Sequence, residues 1–118
     1  MFGSFRYAWR GLNNALIREQ NFRLEVFALL LVMLAGMIFR VMLWEWVWIW
    51  ISCFMILVTE LINTAIERLT DLIVDKRKTG LAAQAKDIAA AGVLLAVFQS
   101  LVAGGFVFLP RLWGLLVH

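Results

Sequence analysis

Within the stretch ILVTELINTAIERLTD, residues 56–71, four side chains could do chemistry together: Glu60, Asn63, Glu67 and Asp71. On a helix at about 100° per residue, with Glu60 at zero, Asn63 falls near −60°, Glu67 near −20° and Asp71 near +20°, with Thr64 at about +40°. This is one polar stripe on an otherwise apolar helix. The plain reading of Asp71, and with less force of Glu67, is a solvated face where a helix leaves a bilayer. Glu60 resists that reading, because it follows the apolar run Trp46–Val58. An acid at that depth costs about 2.5 kcal/mol or more, and such residues usually mark a site.

Spacing separates the roles. Glu60 and Glu67 lie two turns apart, about 10.5 Å along the axis, too far to grip one ion together. Glu67 and Asp71, at i and i+4, repel one another unless a cation or a proton intervenes. Mg²⁺ needs only one or two carboxylates, with phosphate and water completing its shell. The stripe therefore suggests a divalent ion near Glu67 and a separate, partly desolvated acid at Glu60, suited to a general base. A cation site beside basic residues suggests phosphate. Lys86 and Asp87, in AKDIAAAG, are the nearest candidates to bind it. A snorkelling lysine is the competing reading of Lys86. The small residues Ala89–Gly92 favour close helix packing, which would bring Lys86 and Asp87 against the acid stripe. No GxxxxGK[ST] or GxGxxG sequence and no strand pattern is present. The single histidine, His118, and the single cysteine, Cys53, leave no His-based catalysis, zinc site or disulfide framework.

The elements that must position these residues are read from composition. Of 118 residues, 64% are hydrophobic and 16% charged, more apolar surface than a soluble domain of this size can bury. Three apolar segments stand out: Val26–Phe39, Trp46–Val58 running on into the acid stripe, and Ile88–Leu109. With their flanks they are long enough to span, at about 24–40, 45–66 and 87–109. The start of the chain does not read as a cleaved signal peptide, and a single domain over 1–118 is expected. Arg6, Arg10, Arg18 and Arg23 precede the first span, and Arg68, Lys76, Arg77, Lys78 and Lys86 lie between the second and third. Only Arg40 and Arg111 fall on the other side. That asymmetry predicts a cytoplasmic N-terminus, with Trp44, Trp46, Trp48 and Trp50 near the outer interface. The segment at about 4–22 is amphipathic, with Phe5, Trp9, Leu12 and Leu16 at helical spacing, and is expected to lie on the inner leaflet. Glu19 falls about 40° from Phe5, on the apolar stripe. Either the helix turns near Gln20–Asn21, or Glu19 points at protein.

The segments ELINTAIERLTD and AKDIAAAGVLL, with FRYAWRGL and EQNFR upstream, resemble the small bacterial integral-membrane lipid kinases, diacylglycerol kinase and undecaprenol kinase, from about Phe5 to Leu95. The resemblance implies an all-α integral membrane protein. It would have three transmembrane helices and an N-terminal amphipathic surface helix, assembled as a homotrimeric helical bundle with shared active sites. It implies Mg²⁺- and ATP-dependent phosphorylation of a membrane lipid alcohol in the bacterial cytoplasmic (inner) membrane, with no nucleic acid among its partners. Position by position, Glu60 would be the base, with Asn63 orienting beside it. Glu19 and Glu67 would hold the metal, while Lys86 and Asp87 would bind the nucleotide with Tyr7 near it. Trp9, Asn21, Phe22 and Arg23 would lie on the side where the lipid enters, beside Glu60. Two departures stand out. The loop DKRKTGLAAQ is longer and more basic than in the proteobacterial diacylglycerol kinases, so Lys76, Arg77 or Lys78 are candidates for phosphate contact, their other reading being plain positive-inside residues. Asn21 looks like the undecaprenol kinases, whereas Glu25 stands where those commonly have histidine. Diacylglycerol is the expected lipid, with undecaprenol the alternative. A proton- or cation-coupled transporter using Glu60 as carrier is the rival from another class, and an inactive structural protein a third.

Overall fold

The computed structural model describes residues 2–74 and 80–117. They form four α-helices and, among the described residues, no strand: α1 (Phe2–Arg18), α2 (Gln20–Ile38), α3 (Leu43–Val74) and α4 (Gly80–Val117). Helices α2, α3 and α4 are each long and apolar enough to cross a membrane. Large apolar side chains along them, among them Leu30, Phe54, Leu94 and Phe106, stay exposed. Lipid is the solvent for such surface, and helices satisfy their own backbone polar groups within it. The chain is an all-helical integral membrane protein.

The helices outrun the apolar segments that announce them. Helix α3 carries straight through the acid stripe to Val74. Helix α4 begins at Gly80, because the polar flank LAAQA is rich in good helix formers. Its 38 residues span roughly 57 Å at 1.5 Å each, matching the 60 Å long axis of the molecule and exceeding a hydrocarbon core of about 30 Å. The basic residues Lys76, Arg77 and Lys78 lie outside the described residues.

Helix α1 ends at Arg18, short of the expected boundary at residue 22, and the break is a single residue. Glu19 is the N-cap of α2, in an extended conformation. Arg23 reaches back from α2 and donates through Nη1 to the carbonyls of Leu16 (3.0 Å) and Ile17 (2.6 Å), satisfying acceptors that the end of α1 would leave open. Both readings of Glu19 hold together: the helix turns, and the side chain reaches protein.

The far end is built more tightly. Helix α2 stops in a Schellman turn, with Arg40 N–H donating to Met37 O (3.3 Å) and Val41 N–H to Gly36 O (3.1 Å). Arg40 sits there at φ 53°, a left-handed position that usually selects glycine. Glu45 Oε1 accepts from the N–H of Met42, three residues before it, at 2.9 Å and caps the start of α3. Arg111 from α4 donates through Nη1 to Glu45 Oε2 (2.6 Å) and through Nη2 to Oε1 (2.5 Å). Around this fork Val41, Ile49 and Val107 are buried, with Trp46 and Phe108 packed on them. Trp46 lies flat over Gly36, where an added Cβ would come within 2.7 Å of its ring. Helix α4 lies along α3 as the most extensive helix pair, α2 packs on α3, and α1 on α2.

Candidate active site

The acid stripe occupies the α3 turns at the end of the molecule that carries α1. Glu60, Asn63 and Thr64 are buried there, at 9%, 8% and 9% exposure. Asn63 Nδ2 donates to Glu67 Oε1 at 3.4 Å, so the amide and carboxylate stand side by side on successive turns. Asn63 Oδ1 is buried with no hydrogen-bond partner among the described residues. Such an orphaned acceptor costs about 1–3 kcal/mol and is worth leaving only where something else fills it.

Glu60 faces Glu25 of α2, carboxyl to carboxyl within hydrogen-bonding reach, and Glu19 and Glu67 are within electrostatic range of it. No Lys or Arg among the described residues pairs with it. Glu25 Oε2 is buried with no donor among the described residues, and Glu25 lines a cavity of about 560 Å³ between α2, α3 and α4. That cavity is lined by apolar and small residues, including Ala28, Leu57, Ala103, Gly104 and Gly105. An apolar chamber therefore has one acid, Glu25, in its wall, and that acid faces the buried Glu60. Sequence reasoning did not count Glu25 as a site residue. Its signal was present all the same: an ionisable group at the start of a spanning helix.

Two cross-helix pairs flank the stripe. Lys86 of α4 is ion-paired with Asp71 of α3, so the start of α4 does pack against the acid face; Asp87 beside it is exposed. On the other flank Arg68 donates through Nη1 to Asn14 Oδ1 and through Nη2 to Glu19 Oε1, each at 2.6 Å. This brings Glu19 to α3, although 49 positions separate it from Arg68. The remaining candidates are not gathered in. Tyr7 and Trp9 are exposed on α1, at 69% and 59%, Tyr7 with the Arg10 guanidinium 5.8 Å over its ring. Asn21 is exposed, Phe22 is buried at 1%, and Arg23 is occupied in closing α1.

A hard divalent cation fits this donor set. Among the described residues no three His, Cys, Asp or Glu side chains form a ready metal cage, and Mg²⁺ does not require one, since phosphate oxygens and waters complete its shell. The side-by-side Glu67 carboxylate and unpartnered Asn63 Oδ1 are the oxygen donors such an ion takes.

Residues 6–108 match the family described as prokaryotic diacylglycerol kinase. The chain is 36% identical to a diacylglycerol kinase of Synechocystis sp. over 97% of its own length, and spans 65% of that protein. It is 37% identical to the undecaprenol kinase of Bacillus subtilis, over 94% of this chain and 89% of that one. With the diacylglycerol kinase of Escherichia coli it shares 32% identity over 81% of this chain and 78% of the other. A stripe of acids on the second spanning helix, buried at Glu60 and exposed at Glu67 and Asp71, and met by the lysine of AKD, is thus found in a chain that belongs to the prokaryotic diacylglycerol kinase family, and so among the lipid kinases.

Proposed function

We propose that the protein transfers the γ-phosphoryl group of ATP to the hydroxyl of a membrane lipid alcohol, diacylglycerol in the first instance, giving phosphatidic acid. The observation that carries this reading is Glu60, a buried carboxylate without a cationic partner among the described residues, facing the Glu25 carboxyl that lines the apolar cavity of α2–α4.

A lipid with its tails in the bilayer and against the cavity walls brings its hydroxyl to the level of Glu60. Glu60 takes the hydroxyl proton as the oxygen attacks the γ-phosphorus. The new P–O bond forms while the bond to the β,γ-bridging oxygen breaks, and ADP leaves with that electron pair. Asn63 donates to its neighbour Glu67 and orients beside Glu60. Glu67 and Glu19 would hold Mg²⁺, with Asn63 Oδ1 available as a further oxygen; bound there, the ion supplies charge neutralisation along the triphosphate. Lys86, ion-paired with Asp71, supplies a cation for phosphate, and Asp87 stands beside it. The chain thus contributes mainly position and charge, which is what phosphoryl transfer demands.

The basic residues of α1, Arg23, Arg68 and Lys86 all gather at the acid end, which supports an N-terminus on the cytoplasmic side of the bacterial inner membrane, where ATP is found. Helix α1 would lie on that surface with Phe5 and Trp9 in the leaflet. Tyr7, Trp9 and Asp87, exposed in the single chain, are available to a neighbour, which favours a homotrimer whose sites are completed between protomers.

Undecaprenol is the second acceptor to consider, favoured by the 37% likeness to an undecaprenol kinase and by Asn21. Transfer of labelled phosphate from ATP in mixed micelles, with diacylglycerol and undecaprenol offered separately, tests both. Product from one lipid, lost in Glu60→Gln, is the expected result. Proton flux in vesicles that depends on Glu60 and proceeds without ATP would overturn the kinase reading in favour of a transporter.

A further inference from the structure

We propose that Arg68 is a positioning residue that delivers the Glu19 carboxylate to the acid face of α3. The inference rests on the kinase reading above, in which Glu19 holds the metal.

Three observations meet at this residue. First, Glu19 is the only non-helical residue between α1 and α2. An acidic side chain at the start of a helix ordinarily turns to the free N–H groups there, yet Glu19 makes no such bond. Its carboxylate is withheld from its own helix and carried across to α3. Second, the Arg68 fork holds two segments at once, Asn14 of α1 through Nη1 and Glu19 through Nη2, so the guanidinium sets the distance of the joint from α3 as well as its direction. Arg23 clasps the same joint from α2, leaving the angle between α1 and α2 little freedom. Third, Arg68 engages Glu19 Oε1, and among the described residues Oε2 has no bond. An acid held by one oxygen and open at the other is the arrangement by which an outer partner orients a metal ligand.

Arg68 lies one residue beyond Glu67, about 100° round the helix. A bidentate cation on this flank approaches Glu19 without occupying the face of Glu67 and Asn63. An exposed Arg–Glu pair contributes little stability of its own, and Arg68 and Glu19 keep 49% and 33% side-chain exposure. The bridge is therefore better explained by placement of Glu19 than by holding the fold.

The test is Mn²⁺ binding to the purified full-length chain in micelles, read by electron paramagnetic resonance, alongside kinetics with ATP-Mg²⁺. Arg68→Ala should weaken Mn²⁺ binding about tenfold or more and raise the KM for ATP-Mg²⁺ in proportion, with kcat changed less than about threefold. Arg68→Lys should recover part of the affinity, because it keeps the charge and loses the fork. In a Glu19→Ala background, Arg68→Ala should have no further effect on Mn²⁺. Unchanged or tighter Mn²⁺ binding in Arg68→Ala overturns the proposal, as does an equal loss with and without Glu19; Arg68→Gln serves in its place should the alanine variant fail to fold. If the wild type phosphorylates lipid and binds Mn²⁺ while Arg68→Ala binds it equally well, only the positioning role falls. If the wild type binds no Mn²⁺, the metal reading of Glu19 falls with it.

Discussion

The chain buries two carboxylates on α3, Glu45 in its first turn and Glu60 near its middle, and the two are treated in opposite ways. Glu45, 3% exposed, accepts both arms of the Arg111 fork and the Met42 N–H; each of its oxygens is used. Glu60, 9% exposed, faces another acid and has no cation among the described residues. A buried charge without compensation is among the most expensive features a protein retains. The satisfied acid stands where the Schellman turn, the helix cap and the interlocked aromatic core join α2, α3 and α4. The unsatisfied one stands near an orphaned amide oxygen, and its acid neighbour Glu25 lines a cavity. Local conflict of this kind collects at functional sites and is tolerated because other parts of the fold compensate.

The contrast breaks most sharply under isosteric neutralisation. Glu60→Gln should lower phosphoryl transfer about 10²- to 10⁴-fold, the range for a missing general base, while the melting temperature in detergent stays level or rises because a buried repulsion is relieved. Glu45→Gln should do the reverse. Arg111 would lose its counter-charge and the Met42 N–H its charged acceptor, so the protein should lose stability, with turnover per folded molecule little changed. Glu45→Met combined with Arg111→Met should return most of that stability, since replacing a whole buried pair by apolar side chains costs far less than removing half of it. Thermal unfolding and activity measured on the same samples separate the two ends. Equal effects of both glutamine variants on both readouts would dissolve the comparison.

The next effect in size belongs to Gly36. A methyl group there meets the Trp46 ring at 2.7 Å, and the ring is fixed by the surrounding core. Gly36→Ala should cost about 1–3 kcal/mol, the usual penalty of overpacking, and should leave the acid end untouched. A loss of activity larger than the loss of folded protein would mean that the two ends of α3 are coupled, and that the far end does more than hold the bundle.

The same contrast explains what could be read from the residues alone. Three spanning helices follow from three apolar runs, and the acid stripe follows from the spacing of Glu60, Asn63, Glu67 and Asp71, because both are local periodicities. The break at Glu19 is not marked by glycine or proline: REQN has neither, so its position emerges only when Arg23 and Arg68 close on it. Arg68 and Arg111 read as ordinary charges of a topology signal until long-range packing assigns each an acid. Glu25 hid for a related reason, as a flank that helped lengthen a short span, although its partner lies on another helix. Tyr7 and Trp9 came forward as site residues by resemblance only, and the single chain leaves them exposed, where spacing carries no information about a neighbouring protomer.

The smallest effect expected is a gain, at Arg40. Its φ of 53° costs an L-residue roughly 1 kcal/mol, and glycine adopts the same conformation without that cost. Part of the benefit is returned through the freer unfolded chain, so Arg40→Gly should stabilise by a few tenths of a kcal/mol up to about 1 kcal/mol. The Val41 N–H to Gly36 O bond of the Schellman turn gives the measurement a structural check, since amide exchange at Val41 should slow. A destabilised variant would mean that the arginine side chain anchors this end in the headgroups by more than its backbone costs. The satisfied end of the molecule would then contain a tolerated conflict of its own, held by lipid where Glu60 is held by function.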